Sequence, residues 1–252
     1  MVLISVSEGI ARITLNRPER HNSLVPPLLD ALIAAIDEVE LRTDVRAIVL
    51  AASGASFSTG GDVQGFLDNA SCIKEYATNI VGRLNEAISR LIESPRPVIV
   101  AVDGQVTGGS LGLVLAGDIV VVTERASFTP WYSIVGFSPD GGWTALLPDL
   151  IGRSRAATIL AANLTISAEQ AMEWGMASHF ASSATLAESL SEICDHVRAG
   201  NEASLSASKR LLVPPDFAER LEAERRAFVE RIKSADALAG IEAFVSRGGR
   251  GK

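Results

Sequence analysis

The sequence predicts an α/β fold built on a mostly parallel sheet. Three observations carry this. Short runs at 45–51, 97–102 and 118–123 are rich in Val and Ile almost throughout, as strands covered on both faces are. Segments of helical apolar spacing separate them. A chain of 252 residues is long enough for one large domain that buries about 70% of its extended-chain surface, so disulfides are not needed.

The elements follow in order. Residues 2–6 and 10–15 alternate around Glu8-Gly9 and predict a β-hairpin. From 26 to about 41, Leu28, Leu32 and Ile36 with Leu29 and Ile33 fall four apart, and Pro26-Pro27 suit a first helical turn. Residues 45–51 are a buried strand and 53–62 a Gly/Ser loop. Ala77, Ile80, Val81, Leu84, Ile88 and Leu91 mark a second helix, closed by Pro95 and Pro97. A strand at 97–102, a short helix at 108–116 and a strand at 118–123 follow. After about Ser167 the chain reads as mainly helical, with 168–174 capped by Gly175. Pro214-Pro215 marks the clearest boundary, and the Glu/Arg-dense stretch 217–233 reads as a solvated amphipathic helix, with a packing arm between subunits as the alternative.

Composition excludes several classes. The 23 basic and 30 acidic residues give −7, which opposes a nucleic-acid or anionic-membrane binder but leaves room for a local basic pocket. Cys72 and Cys194 form no C-x-x-C, so neither a disulfide framework nor a zinc site is expected; a reducing cytoplasm is. Residues 1–7 lack a basic n-region, and the apolar run near 111–122 is broken by Gly112, Gly117 and Asp118. A soluble cytoplasmic protein without a membrane partner is the expectation. His21, His179 and His196 do not cluster at metal-ligand spacing, and neither GxxxxGK[ST] nor GxGxxG is present.

Chemistry concentrates in a few segments. Ser56-Phe57-Ser58-Thr59-Gly60-Gly61-Asp62 follows a strand, and its glycines free backbone N–H groups to face a ligand, although Asp62 also suits a helix N-cap. Residues 103–112 carry a second Gly-rich strand-to-helix junction. Two N–H donors from two such junctions meet the requirement of an oxyanion hole. Gly108-x-Ser110-x-Gly112 matches the nucleophile elbow of serine hydrolases, with Asp149 and His179 in the required order, but the strand ends six residues too early. In the segment 128–142, Asp140 lies among aromatic and apolar residues, which would raise its proton affinity as a general base requires. Capping of the following helix is the plainer role for Asp140.

In order and spacing these segments resemble the crotonase superfamily, the enoyl-CoA hydratase/isomerase family. Asn16-Arg17-Pro18-Glu19-Arg20, Phe57–Asp62, Gly108–Gly112, Ala116-Gly117-Asp118-Ile119 and Ser167–Ala171 carry the resemblance across essentially the whole chain. It implies a crotonase-like spiral of ββα units. A catalytic core over 1–191 would be followed by a C-terminal helical region, 192–252, that builds homo-trimers, often paired into hexamers. It also implies an acyl-CoA substrate, with coenzyme A as part of the thioester rather than as a resident cofactor. The thioester oxygen would sit between the N–H groups of Thr59 and Gly109, flanked by Ser58, Gly60, Asp62 and Gly108. Arg20 matches a basic position near the CoA phosphates. Phe244 and Arg247 match tail positions that contact CoA, commonly from a neighbouring subunit. Trp131, Tyr132 and Phe137 are candidate walls of the acyl pocket, with core packing as their plainer role.

Departures from the family pattern select the chemistry. Hydratases of the family use two glutamates, and the matching positions here are Gly112 and Tyr132. Asp140 instead matches the acid of a group of enoyl-CoA isomerases that includes enzymes of ring-derived acyl-CoAs. The same position carries the nucleophile of 4-chlorobenzoyl-CoA dehalogenases, but their His and Trp positions are Ser89 and Tyr132 here. A double-bond isomerase with Asp140 as the acid/base is therefore expected. A hydratase, dehalogenase or thioesterase on the same scaffold, or a noncatalytic CoA binder, are the alternatives.

Overall fold

From residue 47 to residue 129 successive strands alternate between two sheets, and this alternation builds the cleft. The computed structural model describes residues 1–246. The larger sheet holds β1 (Val2–Ser7), β2 (Ile10–Leu15), β3 (Ala47–Ala52), β5, β7 and β10; the smaller holds β4 (Ser56–Ser58), β6, β8 and β9. The remaining ranges are β5 Val98–Val102, β6 Gln105–Thr107, β7 Ile119–Val122, β8 Ser127–Thr129, β9 Ile166–Ser167 and β10 His179–Phe180. The larger sheet runs in the order β1-β2-β3-β5-β7-β10 and is parallel from β2 onward. The β1–β2 hairpin turns through Glu8 and Gly9, whose φ values of 53° and 78° match the twist of the strands they join.

Each of β3, β5 and β7 runs on into β4, β6 or β8, and each of these leads into a helix. This is the expected spiral of ββα units. Because β4, β6 and β8 are mutually parallel, their C-terminal ends lie on one side. Strand β4 falls within the stretch expected to be a loop; three residues are too short for a periodic signal. Helix Val63–Asp68 is likewise too short to be foreseen.

Alternate residues of β3 face different cores. Ile48 and Leu50 join the main cluster, while Ala47 and Val49 join a second one with Leu190, Ile193 and Val197 of helix Leu186–Ala199. Burial of such aliphatic side chains stabilises by about 1.5–3 kcal/mol each. Coverage on both faces explains why these strands read as continuous apolar runs.

The expected division between residues 191 and 192 falls inside helix Leu186–Ala199. The C-terminal helices also contribute to the main core. Phe217, Leu221 and Phe228 of helix Phe217–Arg231, Ile232 and Ile241 of helix Ala235–Ser246 all enter the main core. Among the described residues, no helix is long and apolar enough to cross a membrane.

Candidate active site

The loops after β4, β6 and β8 converge on a cleft of about 890 Å³. Gly60 and Gly61 come from the first loop, Gly108 and Gly109 from the second, and Trp131 and Tyr132 from the third. Helix Ile73–Glu93 supplies an apolar wall through Ile80, Val81 and Leu84.

Asp140 lines the cleft and is only 7% exposed. Its carboxylate Oδ1 accepts the Tyr132 hydroxyl at 2.6 Å, and its carbonyl accepts the same hydroxyl at 2.9 Å. Burial is the main cause that raises its pKa to about 7, and the charge of Glu224 adds to the rise; the Tyr132 bond acts in the opposite sense. Burial and the neighbouring Asp140 charge hold Tyr132 well above the ordinary phenol range, so it remains a donor. Asp140 is thus a carboxylate poised to gain or lose a proton near neutrality, not a helix cap.

The carboxylate lies against the Gly109 backbone. A Cβ placed on Gly109 would stand 2.8 and 2.9 Å from the two Asp140 oxygens. Gly112 is closed to any side chain: a Cβ there would meet Ile88 at 2.3 Å and the Gly141 carbonyl oxygen at 2.7 Å. The hydratase glutamate position therefore has no room for a carboxylate.

One expected donor is corrected. The Thr59 N–H donates to the His21 carbonyl at 3.1 Å and is not directed at a ligand. The neighbouring geometry selects Gly61 instead. Leu24 forms a parallel bridge with Gly61, donating its N–H to the Gly60 carbonyl at 2.7 Å and accepting from the Asp62 N–H at 3.0 Å. In a parallel bridge this pattern turns the N–H of the middle residue away. Gly61 borders the cleft, as does Gly109 at the start of the short helical turn Gly108–Ser110, where N–H groups lack intrahelical partners.

Ser58 is a second correction. It is fully buried, its hydroxyl donates to the Asn22 carbonyl at 2.8 Å, and it does not reach the cleft. Ser110 is equally buried and donates to the Ser58 and Thr107 carbonyls at 2.9 and 2.7 Å, so the elbow-like motif is structural. Asp62 gives no side-chain cap to helix Val63–Asp68. It faces Arg20 at 3.2 Å and Arg17 at 3.6 Å at the mouth of the cleft, where Arg20 remains half exposed. Phe137 lines the cleft and packs against Phe66 and Phe228 at centroid distances of 5.6 and 5.2 Å. Phe244 lines the cleft of its own chain and meets Trp131 edge-on at 6.3 Å. Arg247 lies outside the described residues.

Two residues of this site were not singled out from the sequence. Trp143, fully buried, donates its indole N–H to the Gly108 carbonyl at 2.8 Å and ties the Asp140 turn to the Gly109 loop. Glu224 accepts hydrogen bonds from Gly142, Thr144 and Ala145. The signal for it was its place in the apolar series Phe217, Leu221, Phe228, where a charged residue is out of keeping.

The enoyl-CoA hydratase/isomerase family model matches residues 5–250. The chain is 31% identical over 250 residues to the 1,2-epoxyphenylacetyl-CoA isomerase of Escherichia coli strain K12, covering 98% of this chain and 95% of that one. It is 32% identical to 4-chlorobenzoyl coenzyme A dehalogenase-2 of Arthrobacter sp over 79% of this chain and 72% of the other. Among solved structures, an enoyl-CoA hydratase from Bacillus halodurans superposes with a TM-score of 0.90 at 26% identity, covering 96% of this chain and 99% of that one.

Proposed function

The chain belongs to the enoyl-CoA hydratase/isomerase family, and from that premise we propose that it moves the double bond of an enoyl-CoA from the 3,4 to the 2,3 position. The observation that carries this reading is the carboxylate of Asp140, among the described residues the one buried carboxylate that lines the cleft, held by Tyr132 against Gly109. Asp140 removes a proton from C2, beside the thioester carbonyl. The electron pair delocalises onto the carbonyl oxygen, giving a dienolate. The N–H groups of Gly61 and Gly109 stabilise that oxygen; one such donor contributes about 3–4 kcal/mol to a transition state. Asp140 then returns the proton to C4. One carboxylate suffices because no water is added and the proton is neither gained nor lost overall.

The surroundings support each part of this cycle. A pKa of about 7 lets one group serve as base and then as acid. Arg20 at the cleft mouth can meet the CoA phosphates, so an acidic protein needs only local cations for an anionic substrate. Phe137 and Trp131 bound the acyl side.

A dehalogenase reading makes Asp140 a nucleophile and is favoured by the likeness to the Arthrobacter enzyme. The Ser89 and Tyr132 positions oppose it, because the residues the resemblance assigns to that chemistry are missing. The test is conversion of 3-hexenoyl-CoA to 2-hexenoyl-CoA. Wild-type protein should catalyse it, and Asp140→Asn should bind the thioester without turning it over. Turnover by that variant at the wild-type rate would remove Asp140 from the mechanism. Incorporation of heavy oxygen from water into Asp140 would favour the nucleophile reading.

A further inference from the structure

Behind the Asp140 turn lies a second buried carboxylate, Glu224, which is 5% exposed and does not line the cleft. One of its oxygens accepts the Thr144 N–H at 2.6 Å, the Thr144 hydroxyl at 2.7 Å and the Ala145 N–H at 3.0 Å. The other accepts the Gly142 N–H at 2.8 Å. Buried backbone donors without partners are costly, and no strand ladder satisfies these three. The turn is also unusual in shape. Gly141 and Gly142 both have positive φ, 58° and 87°, and a Cβ on Gly141 would lie 2.1 Å from the Gly109 carbonyl oxygen. So the turn must hold its place closely, and Asp140 precedes it directly.

We propose that Glu224 is a positioning residue for the reaction: it clamps the 142–145 turn from behind, so that the Asp140 carboxylate stays seated against Gly109. The proposal rests on the acid/base reading of Asp140. Glu224 also sets the field in which Asp140 works. Its negative charge favours the protonated carboxyl, while the Tyr132 hydroxyl favours the ionised one. Among the described residues these are the two titratable side chains that act on Asp140. Arg220, on the same helix as Glu224, is engaged by Asp149 at 2.8 Å and Asp216 at 3.2 Å.

The test follows the pH profile of 3-hexenoyl-CoA isomerisation by the full chain. Glu224→Gln keeps the volume but removes the charge and one acceptor. It should lower kcat by about 100-fold, the scale of a small misplacement of a catalytic group, with little change in KM. Its acid limb should move to lower pH, because the charge that raised the proton affinity of Asp140 is gone. A purely structural role would leave that limb in place. Thr144→Val removes only the hydroxyl donor; it should give a smaller fall in kcat and an unmoved limb, and it decides the matter if the first variant does not fold. Asp140→Asn, run alongside, separates the two ideas. If it is inactive while Glu224→Gln and Thr144→Val match the wild type in kcat and acid limb, the clamp is overturned and the Asp140 reading stands. If Asp140→Asn is fully active, the Asp140 reading fails first.

Discussion

Two buried carboxylates flank the same turn, and their surroundings differ in the donors they receive and in access to the cleft. Glu224 receives hydrogen bonds from Gly142, Thr144 and Ala145. Asp140, in the cleft, receives a side-chain bond from Tyr132 and from no other side chain among the described residues. A buried carboxylate with its lone pairs satisfied is a structural anchor. One left short of donors binds a proton more tightly and can exchange it. Engagement by the turn for Glu224 and access to the cleft for Asp140, not the degree of burial, separate the two roles.

Asp140→Asn should cost about 10⁴-fold in turnover of 3-hexenoyl-CoA, the upper range for loss of a general base. Binding of the thioester, measured by calorimetry, should persist. Glu224→Ala should act on folding as well as on turnover. It leaves the turn donors unpaired in the core and should destabilise by about 3 kcal/mol in urea unfolding.

Stability against pH sharpens the contrast. The folded-state pKa of Asp140, about 7, stands above its unfolded value. Protons are then bound more tightly in the folded state, so this contribution is fully present below about pH 4 and is lost as pH rises through 7. Asp140→Asn removes the burial cost of the ionised form. It should raise stability at pH 8 by about 1–3 kcal/mol and leave stability at pH 4 nearly unchanged. An equal gain at both pH values would mean that Asp140 is not the group responsible.

Smaller effects follow. Tyr132→Phe removes the bond that lowers the Asp140 pKa, so the acid limb of kcat/KM should move to higher pH, opposite to Glu224→Gln. Turnover at neutral pH should fall about tenfold, as expected for loss of a charge-assisted hydrogen bond. Arg20→Gln should raise KM by less than about tenfold and leave kcat alone, because a half-exposed cation on a phosphate is screened by solvent.

Much of this was legible in the sequence. The Val/Ile runs placed the parallel strands, because coverage on both faces removes polar alternation. Asp140 stood out by its apolar neighbours, and the structure puts it in the cleft. What was not legible depends on pairing between distant backbones. The choice between Thr59 and Gly61 turns on which N–H the loop 17–24 consumes, and His21 and Leu24 decide that through hydrogen bonds across some 38 residues. Ser58 lies in a loop-like motif yet faces inward, because β4 is a strand too short to read. Glu224 was masked by the Glu and Arg residues around it on helix Phe217–Arg231, although its place between Leu221 and Phe228 set it apart.

In the proposed cycle Asp140 alone makes and quenches the thioester enolate. Hydrogen exchange at C2 of hexanoyl-CoA in deuterated water, followed by NMR, tests it without knowledge of the natural acyl group. Wild-type protein should introduce deuterium at C2, and Asp140→Asn should bind hexanoyl-CoA and introduce none. Exchange by Asp140→Asn at the wild-type rate, or binding by the wild type without exchange, would contradict it.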